Sequence, residues 1–107
     1  MLVNLTPHDI VIRLSDGDRV IPASGTVARV STSQVPAGTI DGIPVSAQTF
    51  GQIEGLPEPQ EGVTFIVSAI VLAAAKSIGR TDVVAPDTAR AIRNDAGQIV
   101  AVPGLVR

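Results

Sequence analysis

A chain of 107 residues with 45% hydrophobic residues and a formal net charge of -2 has the size and apolar content of one globular domain, residues 1–107. That charge excludes the broad basic surface of a nucleic-acid or anionic-membrane binder, and the lack of cysteine excludes disulfides, thiolate metal sites and cysteine nucleophiles. Two Phe and no Trp or Tyr leave an aliphatic core and remove the stacking platforms that single-stranded nucleic acid requires.

The N-terminal segment has neither the basic flank nor the continuous apolar run of a secretory signal, so a reducing cytoplasm is the expected compartment. Leu2–Leu5 and Asp9–Leu14 have strand composition. The turn-forming cluster Ser15-Asp16-Gly17-Asp18 then predicts a hairpin into Arg19–Ile21. Pro22-Ala23-Ser24-Gly25 is a second turn, and Thr26–Ser31 alternates well enough to be a half-buried strand.

From Pro36 to Gly62 the chain carries Pro36, Pro44, Pro57, Pro59 and five glycines, which predicts no long regular element there beyond one strand at Ile43–Thr49. Residues 51–62 are expected to form an exposed loop rich in Pro and Glu, and the only charges over 38–62 are Asp41, Glu54, Glu58 and Glu61. Val63–Val67 follows as a strand. Ser68 caps a helix over 69–78, with Lys76 in its last turn and Gly79 as its stop. The competing expectation is a continuous strand through Val71. This segment is apolar nearly all round, which places it either enclosed or at a subunit contact, and it is too short to span a bilayer. Asp82–Ala85 reads as extended, and Thr88–Arg93 pairs with Gln98–Val102 around Asn94-Asp95-Ala96-Gly97. The sum is a β-dominated α+β domain, either a partly closed small β-barrel or a sandwich-like sheet, with one short helix.

Residues fit for catalysis are few. His8 is the only histidine; Asp9 beside it points to the opposite face of an extended chain and is poorly placed to orient the imidazole. Neither Ser24 nor Ser68 lies in a Gly-x-Ser-x-Gly elbow, and no phosphate-binding glycine loop is present. No transition metal and no cofactor is called for. A weaker anion site can be drawn from the amides and hydroxyls of Ser24, Gly25 and Thr26 with Arg29, Arg80, Arg90 or Arg93, whose guanidinium forks suit a phosphate; the alternative is arginines that are solvated or paired with aspartates. Asp82 belongs to the same set, since Arg80 can bridge to it in an architectural role.

Several short motifs span nearly the whole chain: Asn4-Leu5-Thr6-Pro7-His8, Pro22-x-Ser24-Gly25 with Arg29, Gly55-Leu56-Pro57, Ile66-Val67-Ser68, and Arg80-Thr81-Asp82 with Pro86. In these the chain resembles small uncharacterised proteins of actinobacteria and of bacteriophages or prophages. The resemblance implies a bacterial or viral accessory protein and no particular chemistry. Three functions fit. The first is a non-enzymatic binding or assembly protein that joins its aliphatic surface to a second copy, or to a host or viral protein. The second is a protein that sequesters a nucleotide or other phosphorylated metabolite. The third is a small hydrolase using His8 and carboxylates.

Overall fold

The computed structural model describes residues 1–107. In chain order its elements are β1 (Leu2–Asn4), β2 (Ile10–Leu14), β3 (Gly17–Ile21), β4 (Arg29–Ile40), β5 (Ile43–Glu54), β6 (Thr64–Ile66), α1 (Ala69–Ser77), β7 (Val83–Pro86), a 3-10 turn at Thr88–Arg90, β8 (Ile92–Arg93), β9 (Ile99–Ala101) and β10 (Leu105–Val106). The central sheet has the order β1-β6-β7-β10. Its first three strands are parallel, and β10 runs antiparallel to β7. A parallel pair needs a crossover, which α1 supplies between β6 and β7.

Parallel strands covered on both faces read as continuous apolar runs, and β6 and β7 do so. Along them side chains alternate between two cores. Phe65, Val67, Val83 and Ala85 pack with Val71, Leu72 and Ala75 of α1, together with Leu5 and Ala28. Ile66 and Val84 point the other way, onto Ile10 and Ile12 of β2, Ile21 of β3 and Val102. The result is a β-dominated α+β domain of layers: helix, sheet, then the β2–β3 hairpin. The sheets do not close into a barrel, so of the two architectures expected the sandwich-like one is realised. No helix is long and apolar enough to cross a membrane.

Local signals set the helix ends. Ser68 Oγ accepts from Val71 N at 3.4 Å, and Gly79 adopts φ 83° while Arg80 N and Gly79 N donate to the carbonyls of Ala75 and Lys76. The helix ends at Ser77, one residue before the expected boundary, because Ile78 already serves as its C-cap.

Immediately beyond this stop, Arg80 grips Asp82 with both forks, Nε to Oδ1 and Nη2 to Oδ2 at 2.8 Å each, and Nη2 also donates to the carbonyl of Pro57. One guanidinium thus ties the helix end to the loop after β5.

Residues 36–62 depart from expectation. Instead of one short strand in a broken segment, β4 and β5 form an antiparallel ribbon of 12 residues per strand, closed by the turn Asp41-Gly42. Pro36 and Pro44 are tolerated because each ribbon strand has only one neighbour, so a proline has an unpaired outer edge available to it. A bulge between Pro36 and Thr39, with Gly38 at φ 93°, absorbs the irregularity. The loop expected over 51–62 accordingly begins only after Glu54, and Leu56 within it packs against the helix-side core. The strand expected at Thr26–Ser31 likewise starts at Arg29, since Ala28 N is bonded to the carbonyl of Leu5. At the C-terminal side, Thr88–Arg90 turns rather than extends, which shortens that hairpin to Ile92–Arg93 and Ile99–Ala101.

The ribbon stands away from the body. The radius of gyration is 16.3 Å, against about 13 Å for a compact chain of this length, and the extents are 53 × 38 × 21 Å.

The Arg80 clamp makes stability depend on pH in one direction. The hydrogen bond from Arg80 holds the Asp82 carboxyl below its ordinary range, although partial burial opposes this. A depressed carboxyl contributes stability above its unfolded pKa of about 3.9, and this is lost as pH falls through the folded value. Arg80→Met should therefore cost about 1–3 kcal/mol at neutral pH by urea denaturation, and the gap to the parent should shrink below about pH 4. A gap that does not change with pH would remove the ion pair as the cause.

Candidate functional site

Asn4, at the end of β1, is 1% exposed and uses its whole hydrogen-bonding capacity. Nδ2 donates to the carbonyls of His8 at 2.9 Å and Ile21 at 3.0 Å, while Oδ1 accepts from Thr6 N at 2.9 Å and Thr6 Oγ1 at 2.7 Å. The segment Leu5–Asp9 is thereby folded into a rigid loop at the carboxyl end of the parallel strands. Asp9 Oδ1 accepts from Ala23 N, and Ser24 N donates to the carbonyl of Asn4, so the β3–β4 connection is fastened to the same point.

Two clefts flank this loop, at the sheet edge where open α/β sheets bind ligands. One, of about 250 Å³, lies between Thr6, Pro7, Arg29, Val30 and the start of α1 at Ser68 and Ile70. The other, of about 350 Å³, lies between His8, Asp9, Pro86, Thr88 and the β9 segment Ile99–Val102. A third hollow of about 270 Å³ at the ribbon base is lined by Arg29, Val30, Ser31, Gln52 and Glu54.

The six residues singled out as ligand-binding are dispersed. Ser24 Oγ is engaged with Thr26 N and the carbonyl of Thr26, and Gly25 occupies a turn at φ 94°. Arg80 is held by Asp82 and Pro57, and Arg90 Nε donates to Asp87 Oδ2 at 2.8 Å. Arg29 alone reaches a cleft, opposite Glu54 across the ribbon base. His8 and Asp9 share the second cleft, yet the carboxylate bonds to Ala23 N and not to the imidazole. Ser68 lines the other cleft, and no three His, Asp or Glu side chains converge.

The feature that sequence reasoning missed is the ribbon. Asp41 at φ 50° and Gly42 at φ 77° make the two-residue hairpin turn for which Asp-Gly is the strongest short signal. Cross-strand partners share a face. Register therefore places Ile40 with Ile43, Val35 with Ala47, and Ser33 with Thr49 on one side, joined by Val45; Thr39, Pro44, Pro36, Ser46, Gln34, Gln48, Thr32 and Phe50 lie on the other. The first face is an aliphatic stripe that lies largely open: Ile40 is 66%, Ile43 65% and Val35 44% exposed, with Val45 half-buried among them. Between Arg29 and Glu54 the single charge is Asp41.

Replacing Asn4 tests the loop. Asn4→Ala should cost about 2–3 kcal/mol, since it strands buried backbone partners. Asn4→Asp should be as damaging at neutral pH and should recover toward the parent on acidification to about pH 5, because burial beside two carbonyls raises the pKa of the introduced carboxyl and only its protonated form donates. A loss that does not respond to pH in denaturation curves would refute the donor role.

Comparison of the chain with protein-family models, with curated proteins and with solved structures returns no match.

Proposed function

We propose that this protein is a non-enzymatic binding and assembly protein that self-associates through the β4–β5 ribbon. The observation that carries this is the largely open aliphatic stripe on a projecting two-stranded ribbon. An isolated two-stranded ribbon is marginal in water; the prolines and bulges of this one guard its outer edges against strand pairing but leave its apolar face open. This ribbon is long and has no charge between its base and its tip turn. Without charges, a second copy meets no like-charge repulsion when it stacks its own stripe on the first. The apolar helix is the other element whose sequence suits a subunit contact, but its Val71, Leu72, Ala74 and Ala75 are enclosed by the body, so the ribbon is the better surface.

Sedimentation of the intact chain across micromolar concentrations should show association. Val35→Lys combined with Val45→Lys should abolish it and leave the fold intact, because both side chains lie on the projecting ribbon and not in either core. A parent chain that stays monomeric throughout would overturn the proposal.

A second reading, anion binding, is favoured by Arg29, Thr6 and Ser68 lining one cleft at the carboxyl edge of the parallel strands. A phosphorylated metabolite suits the guanidinium and the Ser68 hydroxyl, whose hydrogen is free to donate, while the Thr6 hydroxyl is committed to Asn4. Thermal-shift screening with a nucleotide panel should then stabilise the parent and not Arg29→Ala; no shift at millimolar ligand removes this reading.

A further inference from the structure

We propose that the tip of the ribbon of one copy seats in the cleft between His8 and Val100 of a second copy, an inference that rests on the ribbon as the self-association element. The tip is an apolar knob. Ile40 and Ile43 are cross-strand partners that project on one face beside the Asp41-Gly42 turn, and about two-thirds of each is exposed. Twelve extended residues carry this knob about 40 Å from the ribbon base, beyond the reach of any apolar surface on its own body.

The cleft is the matching socket. It measures about 350 Å³, and its walls are aliphatic, with Ile99 45% and Val100 40% exposed and Ile10, Val11 and Val102 behind them. A cavity of about 150 Å³ accommodates one benzene-sized group, so this cleft has room for two branched C4 side chains. Rim chemistry fits the one charge at the tip. The imidazole of His8 makes no hydrogen bond and offers an N–H to the Asp41 carboxylate, and Arg90, 76% exposed, stands on the adjoining turn. Asp9 at the same rim accepts from Ala23 N through Oδ1 and keeps its negative charge, which His8 and Arg90 must outweigh when the tip is seated.

Knob and socket lie at different places on the chain, and in the proposed assembly two copies exchange them reciprocally about a two-fold axis. In that closed form each copy extends its ribbon onto its partner, which joins this docking to the self-association proposed above. It also closes the assembly, whereas one-way docking would propagate.

The chain has no cysteine, which makes a disulfide test free of background. Ile43→Cys and Val100→Cys proteins, prepared separately and mixed under mild oxidation, should form a covalent heterodimer at least tenfold faster than Ile43→Cys mixed with Glu58→Cys. In sedimentation, Val100→Lys should weaken the association at least tenfold with an unchanged circular dichroism spectrum. Equal cross-linking to both partners, or a Val100→Lys protein that associates like the parent while Val35→Lys/Val45→Lys is monomeric, overturns the socket and leaves ribbon self-association standing. A parent chain that is monomeric at every concentration overturns both.

Discussion

Four hydrogen bonds at one buried amide organise the functional end of this molecule. Asn4 ends β1, and its side chain links that strand to the turn that follows and to the last residue of β3. A buried amide is costly unless each donor and acceptor is matched, and here the match is complete. Because those partners come from two separate stretches, the turn at Thr6–His8 and the end of β3, the amide fixes the distance between the central sheet and the β2–β3 hairpin. It also fixes the wall that divides the two edge clefts. Alter that geometry and neither cleft keeps its shape.

The body and the ribbon obey opposite rules. In the body, apolar residues are sorted onto two enclosed faces, and the few charges near the core are spent in pairs such as Arg80 with Asp82 and Arg90 with Asp87. In the ribbon, an apolar stripe is kept in water and charge is withheld. Proteins seldom leave a regular aliphatic face open without an occupant for it. The base of the ribbon is nevertheless firmly set: Val30 and Ile53 pack on the helix-side core, and a Cβ at Gly55 would stand 2.5 Å from the carbonyl of Val27. An arm rooted this closely projects in a defined direction.

Elements written in local chemistry were legible in the sequence. The β2–β3 hairpin, the Ser68 cap and the Gly79 stop each follow from a few neighbouring residues and stand within a residue or two of their expected places; the turn at Asn94–Gly97 is also where expected, although the first strand of its hairpin begins four residues late. The bridge from Arg80 to Asp82 was visible for the same reason. The parallel pairing of Leu2 with Thr64 was not, because nothing in a strand's composition names a partner so distant. The ribbon was misjudged differently. Four prolines and five glycines argue against long regular elements over 36–62, yet a two-stranded ribbon leaves each strand an unpaired edge that tolerates proline, and the Asp41-Gly42 turn is its local signal. Arginines separated in sequence gave no sign of whether they would converge, and the structure sends them to different places.

The alternation along β6 has a consequence for how the strand finds its position. Most half-buried strands are aligned by polarity, since a slip of one residue would drown polar side chains and expose apolar ones. With apolar neighbours on both faces, polarity gives β6 no such instruction. A slip would instead exchange Phe65 with Ile66, forcing an aromatic ring into the hairpin-side core and leaving a void beneath α1. Alignment of the central strand is therefore decided by side-chain volume.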